Sequence, residues 1–136
     1  MTSAIGDRLR AIGVSIPQTD VLTTLSEEEG VSQQELAKRL YVTKGNISGL
    51  IDRLAAAGFV ERRPSESDRR QHAIFLTDAG RRMAERAIQV QRDWIAVTFG
   101  RMEPEDLLAL EKQLVTLRDI VRHHEREPQP RVVAGL

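Results

Sequence analysis

The stretch SQQELAKRLYVTKGNISGLIDRLAAAGFVERRPSESDRRQHAIFLTDAG, residues 32–80, decides the fold. Ser32 followed by Glu35 has the form of a capping box, S-x-x-E, and predicts a helix from Ser32 to about Leu40. Its apolar face is Leu36, Ala37 and Leu40. Tyr41-Val42 makes a short connection, and Thr43 is an N-cap residue that opens the next helix. Between Thr43 and Ala57, Ile47, Leu50, Ile51 and Leu54 fall at i, i+3, i+4 and i+7, which is one buried stripe. Gly58 fits the left-handed position just past a helix end. From Phe59 the period changes to two. Val60 and Arg62 alternate with Glu61 and Arg63, and His72, Ile74 and Leu76 form a second alternating run. PSESDRRQ between them supplies turn formers and charge, so the two runs pair as a β-hairpin with a polar tip.

Working outward, Ile5, Leu9 and Ile12 define a short amphipathic opening that Gly13 weakens, and Pro17 suits the first turn of a second helix through Leu25. Glu27, Glu28, Glu29 and Gly30 read as a solvated turn. On the other side, Thr77 caps a long helix in which Ala79, Met83, Ala87, Val90, Trp94 and Val97 recur at helical spacing until Gly100. Pro104 opens a last helix, with Glu105 and Asp106 at its positive end. Leu107, Leu110, Leu114, Leu117 and Val121 follow in a 3-4-3-4 rhythm, a helix-pairing seam. The tail, residues 127–136, lacks periodicity and is expected to fray.

With 136 residues, 40% of them hydrophobic, the chain is expected to form one domain over residues 1–126. It has no cysteine, which excludes disulfides, thiolate nucleophiles and Cys-ligated zinc. No apolar run approaches the roughly 18–20 residues of a membrane span, and no signal sequence opens the chain, so a cytoplasmic address is expected, with no membrane partner. Twenty Lys+Arg balance twenty Asp+Glu, but not evenly along the chain. Residues 32–72 carry eight Lys+Arg against five Asp+Glu, net +3, while residues 1–31 carry two against five, net −3.

Helix, tight turn, helix and a basic hairpin is the order of a winged helix-turn-helix, whose second helix enters the DNA major groove. The expected fold class is therefore mainly α with a small β-hairpin wing and terminal dimerisation helices. Residues 16–77 would form the DNA-binding lobe, and residues 78–126 with 1–15 the dimerisation part. A helix that approaches base edges needs short polar side chains at its N-terminal end, and Thr43, Lys44, Gly45, Asn46, Ser48 and Gly49 supply them. Lys44 at the positive helix end also suits phosphate.

The segment GFVERRPSESDRRQHAIFLTDAG, residues 58–80, resembles the wing signature of MarR-type transcriptional regulators: a Gly-hydrophobic-Val start, an Asp-x-Arg wing and a Leu-Thr-x-x-Gly entry to the next helix. SQQELAKRLYVTKGNISGLIDRLAAAGFV is similar to that family's helix-turn-helix in length, register and buried positions. The resemblance covers roughly residues 16–122. It implies a homodimer joined through terminal helices, a recognition helix at 43–57 in the major groove and a wing at 64–71 in the minor groove. It further implies that Arg70 reaches into that groove while Asp68 orients the wing. A repressor acting on a pseudo-palindromic operator, released by a small aromatic or anionic effector, is the implied activity. Two features depart from the family pattern. A short segment precedes Pro17 where relatives usually carry a longer first helix, which implies a truncated start or a reduced interface. Gly49 stands where many relatives have a bulkier, often basic, residue.

The DNA-contacting candidates are accordingly Ser32, Lys38, Thr43, Lys44, Gly45, Asn46, Ser48, Gly49, Arg53, Arg63, Asp68, Arg69 and Arg70. Arg62 and Arg63 alternate across their strand, so at most one faces phosphate. Trp94 is either packing or part of an effector pocket. His72, His123 and His124 are the only histidines and make a poor ligand set without carboxylate help, so no metal and no cofactor is expected. No G-x-S-x-G elbow, phosphate-binding glycine loop or H-E-x-x-H pair is present, which argues against an enzyme. The competing expectation is a winged-helix module that binds only protein.

Overall fold

In the computed structural model, which describes residues 4–66 and 70–126, the local signals translate into helices through their caps. Helix α1 (Ala4–Ala11) buries Leu9 and part-buries Ile5. Helix α2 (Ile16–Glu27) starts on a complete capping box. Ser15 Oγ accepts from the Gln18 amide at 3.2 Å, and Gln18 Oε1 accepts from the Ser15 amide at 2.9 Å. Thr19 is fully buried, with its hydroxyl donating to the Ser15 carbonyl at 2.9 Å. No buried polar cost is therefore left uncompensated there.

Ser32 ends a two-residue strand, β1 (Val31–Ser32), and caps helix α3 (Gln33–Arg39) by accepting from the Glu35 amide at 3.0 Å. The expected return arm of this capping box is replaced, because the Glu35 carboxylate accepts from Arg39 Nε at 3.3 Å. Helix α4 (Lys44–Ala56) is capped by Thr43, whose hydroxyl accepts from the Asn46 amide at 3.2 Å. Its stripe Ile47, Leu50, Ile51 and Leu54 is buried as the spacing predicts. The helix ends with Gly58 at φ 81°, where the Phe59 amide donates to the Leu54 carbonyl and the Gly58 amide to the Ala55 carbonyl. These paired bonds are a Schellman stop.

Strands β2 (Val60–Pro64) and β3 (His72–Leu76) form the hairpin, and β1 adds to it to give an antiparallel sheet of order β1-β3-β2. Val31 and Arg62 both lie opposite Ile74. As the central strand, β3 buries both Ala73 and Ile74, so its alternation is less clean than the sequence suggests. The core of this unit, residues 1–94, joins Leu9, Leu22, Leu25, Leu36, Ile47, Ile51, Leu54 and Ile74.

Helix α5 (Asp78–Thr98) is fastened at its start. The Thr77 hydroxyl donates to the Gly58 carbonyl at 2.5 Å and accepts from the Gly80 amide at 3.0 Å, while the Thr77 amide donates to the Phe59 carbonyl at 3.0 Å. A Cβ placed on Gly80 would stand 1.9 Å from that same carbonyl oxygen, so only glycine fits. This close approach turns Gly80, Ala84 and Ala87 inward, with Met83 and Val90 partly buried beside them. The inward face is thus rotated from the expected line through Ala79, Met83, Ala87, Val90, Trp94 and Val97.

Residues 95–136 form a second unit, described as far as Arg126. A 3-10 turn at Phe99–Arg101 precedes helix α6 (Pro104–Arg126), which carries Glu105 and Asp106 in its first turn. None of its residues is buried. We expect Gly80→Ala to lower the stability of the chain by about 1–3 kcal/mol through overpacking against the Phe59 carbonyl, read from urea unfolding. Gly45→Ala, where a Cβ meets nothing within 4 Å, serves as the comparator and should leave the midpoint within error or raise it.

Candidate nucleic-acid interface

The buried stripe of α4 leaves its opposite face outward. Thr43, Lys44, Gly45 and Asn46 are exposed, Ser48 and Gly49 half-buried, and Arg53 exposed one turn further on. Gly45 and Gly49 keep the backbone of this face accessible, with the Arg53 guanidinium 3.9 Å from the position of a Gly49 Cβ. Beside this face, Gln33, Gln34, Lys44, Ile47, Arg70, Gln71 and His72 line a concave site of about 390 Å³. It brings the start of α3, the start of α4 and the end of the hairpin together. Gln71 Nε2 donates to Gln34 Oε1 at 2.8 Å across it.

The sequence candidates divide into two groups. Lys44 and Arg70 both line that crease, whereas Gly45, Asn46, Gly49 and Arg53 line a separate shallow concavity with Pro17 and Val42. Ser32 is instead occupied as the α3 cap, and Lys38 lies exposed near the end of α3. Arg63 bonds Glu61 on its own strand, and its guanidinium carbon lies 4.1 Å from the Phe75 ring centroid. Asp68 and Arg69 lie outside the described residues. Trp94 is half-buried on α5. On α6, Leu107 is half-buried and Leu110, Leu114, Leu117 and Val121 are exposed, Leu114 by 56%.

Sequence reasoning missed Arg62. Its Nε donates to Gln33 Oε1 at 3.0 Å, and its terminal nitrogen reaches the Ser48 carbonyl at 3.3 Å and Asp52 Oδ1 at 2.7 Å. One guanidinium therefore joins β2 to α3 and α4, a use of the planar fork that a lysine could not copy. The alternation of Arg62 with Arg63 signalled opposite faces. It could not show that the inward face held three acceptors. Arg39 is committed elsewhere, since the hydrogen bonds it donates to the Glu28 carboxylate first and then to Glu35 push its guanidinium above the ordinary value.

A recognition helix with an open polar front, an arginine-braced hairpin beside it and a basic crease between them define a winged helix-turn-helix protein. A family model described as MarR family matches residues 14–72. The regulator TtmR of Methylorubrum extorquens is 37% identical over 109 residues, 78% of this chain, and the chain spans about half of its length, 53%. PrsX of Escherichia coli, an HTH-type transcriptional regulator, is 31% identical over 126 residues, covering 89% of this chain and 76% of that protein. A solved mutant MarR from E. coli complexed with operator DNA superposes with a TM-score of 0.73 at 26% identity, over 83% of this chain and 81% of that one. The chain belongs to the MarR family.

The brace is testable without DNA. Arg62→Met keeps the aliphatic stem and removes all three polar contacts, and the pair to Asp52 is partly screened by solvent because Asp52 is exposed. A loss of about 1–2 kcal/mol is expected, with faster amide exchange in β2 and β3 than in α2. Equal exchange rates in Arg62→Met and wild type would contradict a bracing role.

Proposed function

We propose that this chain is a sequence-specific DNA-binding transcriptional regulator of cytoplasmic address, a repressor without catalytic activity. The observation that supports it best is the crease in which Lys44 of the recognition helix and Arg70 of the hairpin converge beside the open front of α4. Phosphate contact supplies most of the affinity in such complexes, and base edges supply the discrimination. The DNA-binding lobe is residues 16–77. Lys38, Lys44, Arg53 and the wing cations Arg69 and Arg70 contact phosphate or the minor groove, with Asp68 orienting the wing and Arg63 held by Glu61, while Asn46 and Ser48 read major-groove edges.

Residues 78–126 with 1–15 serve dimerisation. Full burial of a leucine is worth about 1.5–3 kcal/mol, so the seam Leu107, Leu110, Leu114, Leu117 and Val121 gains most from a second copy of α6. A two-fold dimer matches a pseudo-palindromic operator with half-sites roughly 10 bp apart. Release follows when a small aromatic or anionic effector, held near Trp94, binds more tightly to a dimer whose recognition helices no longer match adjacent grooves.

The test compares Asn46→Ala and Arg70→Ala by fluorescence anisotropy on a duplex selected by the wild-type protein and on its scrambled form. Arg70→Ala should weaken both duplexes by about 1–3 kcal/mol per subunit and reduce the salt dependence. Asn46→Ala should lose discrimination while keeping non-specific affinity. Parallel loss in both variants would contradict the division of labour. Sedimentation at micromolar concentration should show a dimer, and a leucine-to-glutamate change at Leu114 should shift it to monomer.

A further inference from the structure

Helices α3 and α4 end in the same way, and the residue at the critical position differs. At the end of α4, Gly58 takes the left-handed conformation, φ 81°, between the Gly58-to-Ala55 and Phe59-to-Leu54 bonds. At the end of α3 the Tyr41 amide donates to the Lys38 carbonyl at 3.3 Å and the Val42 amide to the Ala37 carbonyl at 3.0 Å. That is the same Schellman stop, one whose left-handed position is ordinarily glycine. Tyr41 occupies it at φ 55° and is, among the described residues, the one residue other than glycine with positive φ. A Cβ in that conformation crowds the backbone. Among the described residues no side-chain packing compensates, because Tyr41 is 90% exposed and contributes no side chain to the core. Strain retained at an exposed site, with no packing in return, is the signature of a group kept for an intermolecular contact.

Its position says which contact. Tyr41 stands in the turn between the two helices, two residues before the Thr43 cap, with exposed Lys38 and Lys44 three residues to either side. In a helix-turn-helix the first helix crosses the sugar-phosphate strand and the second enters the groove, so the turn between them passes over the lip of that groove. Tyrosine hydroxyls are among the donors that bond phosphate oxygens there. We infer that Tyr41 is a DNA-backbone contact, its ring lying on deoxyribose and its phenol donating to a phosphate oxygen. This inference rests on the DNA-binding function proposed above.

A neutral phenol displaces no condensed counterion, which separates its contribution from that of the lysines. On a duplex selected from a random library by the wild-type protein, Tyr41→Phe should bind about fivefold more weakly and Tyr41→Gly about tenfold, the scale of one hydrogen bond plus its packing. Both should keep the wild-type slope of log affinity against log salt, whereas Lys44→Ala should make it shallower by about one. Tyr41→Gly relieves the left-handed strain, so its melting temperature should equal or exceed that of wild type while its affinity falls. Wild-type affinity in Tyr41→Phe would overturn the assignment, and so would a Tyr41→Gly chain that melts lower and owes its weaker binding to a damaged turn. A wild-type protein that retains no duplex at all would overturn the DNA-binding function itself, a result distinct from either.

Discussion

Four side chains on one face of α4, Ile47, Leu50, Ile51 and Leu54, are each at most 8% exposed, and that anchorage decides what the opposite face can do. Burial of this kind is worth about 1.5–3 kcal/mol per large aliphatic side chain, so the helix cannot roll to offer another surface without losing most of its attachment. Rotation is thereby fixed, and Thr43, Lys44, Asn46 and Ser48 face outward as a consequence. Small residues at Gly45 and Gly49 then set how closely the helix backbone can approach a partner. The functional face is polar because the stabilising work is done on the other side.

The hairpin depends on that helix through Arg62. A two-stranded ribbon is marginal by itself, and here β1 supplies a third strand while Arg62 ties β2 to the Ser48 carbonyl and to Asp52. At the other end, the Thr77 hydroxyl bridges the Gly58 carbonyl and the Gly80 amide, so the C-terminal stop of α4 and the N-terminal start of α5 share one side chain. The Leu-Thr-x-x-Gly pattern thus has a physical meaning. Threonine makes the clasp, and glycine admits the Phe59 carbonyl.

Those elements whose evidence is local were legible in the sequence. The α4 stripe needs only helical spacing, the Thr43 and Thr77 caps need only a hydroxyl at the right offset, and the resemblance of residues 58–80 carried the family. The serine cap of α2 was also readable, since Ser15 and Gln18 form S-x-x-Q, yet Pro17 drew the boundary instead. What was hidden is non-local. Strand β1 is two residues long and exists because β3 pairs with it, and the inward face of α5 is set by a carbonyl more than twenty residues earlier in the chain. Arg62 looked like half of an alternating pair, because its acceptors come from α3 and α4. Tyr41 read as connector, since a left-handed backbone leaves no mark on the sequence when glycine is absent.

Charge shows the same division between what composition counts and what geometry leaves available. The net +3 of residues 32–72 includes Arg39, bonded to Glu28 and Glu35, Arg62, bonded to Asp52, and Arg63, bonded to Glu61. A cation already paired gives less to a phosphate, because the approach of one anion must weaken the hold of another. Among the described residues, Lys38, Lys44 and Arg53 form no ion pair, and all three are exposed. Each phosphate neutralised contributes roughly 0.9 to the salt slope on duplex DNA. The paired Arg39, Arg62 and Arg63 thus serve the shape of the site, while Lys38, Lys44 and Arg53 are cations of this stretch that pairing within the described residues leaves available to an anion.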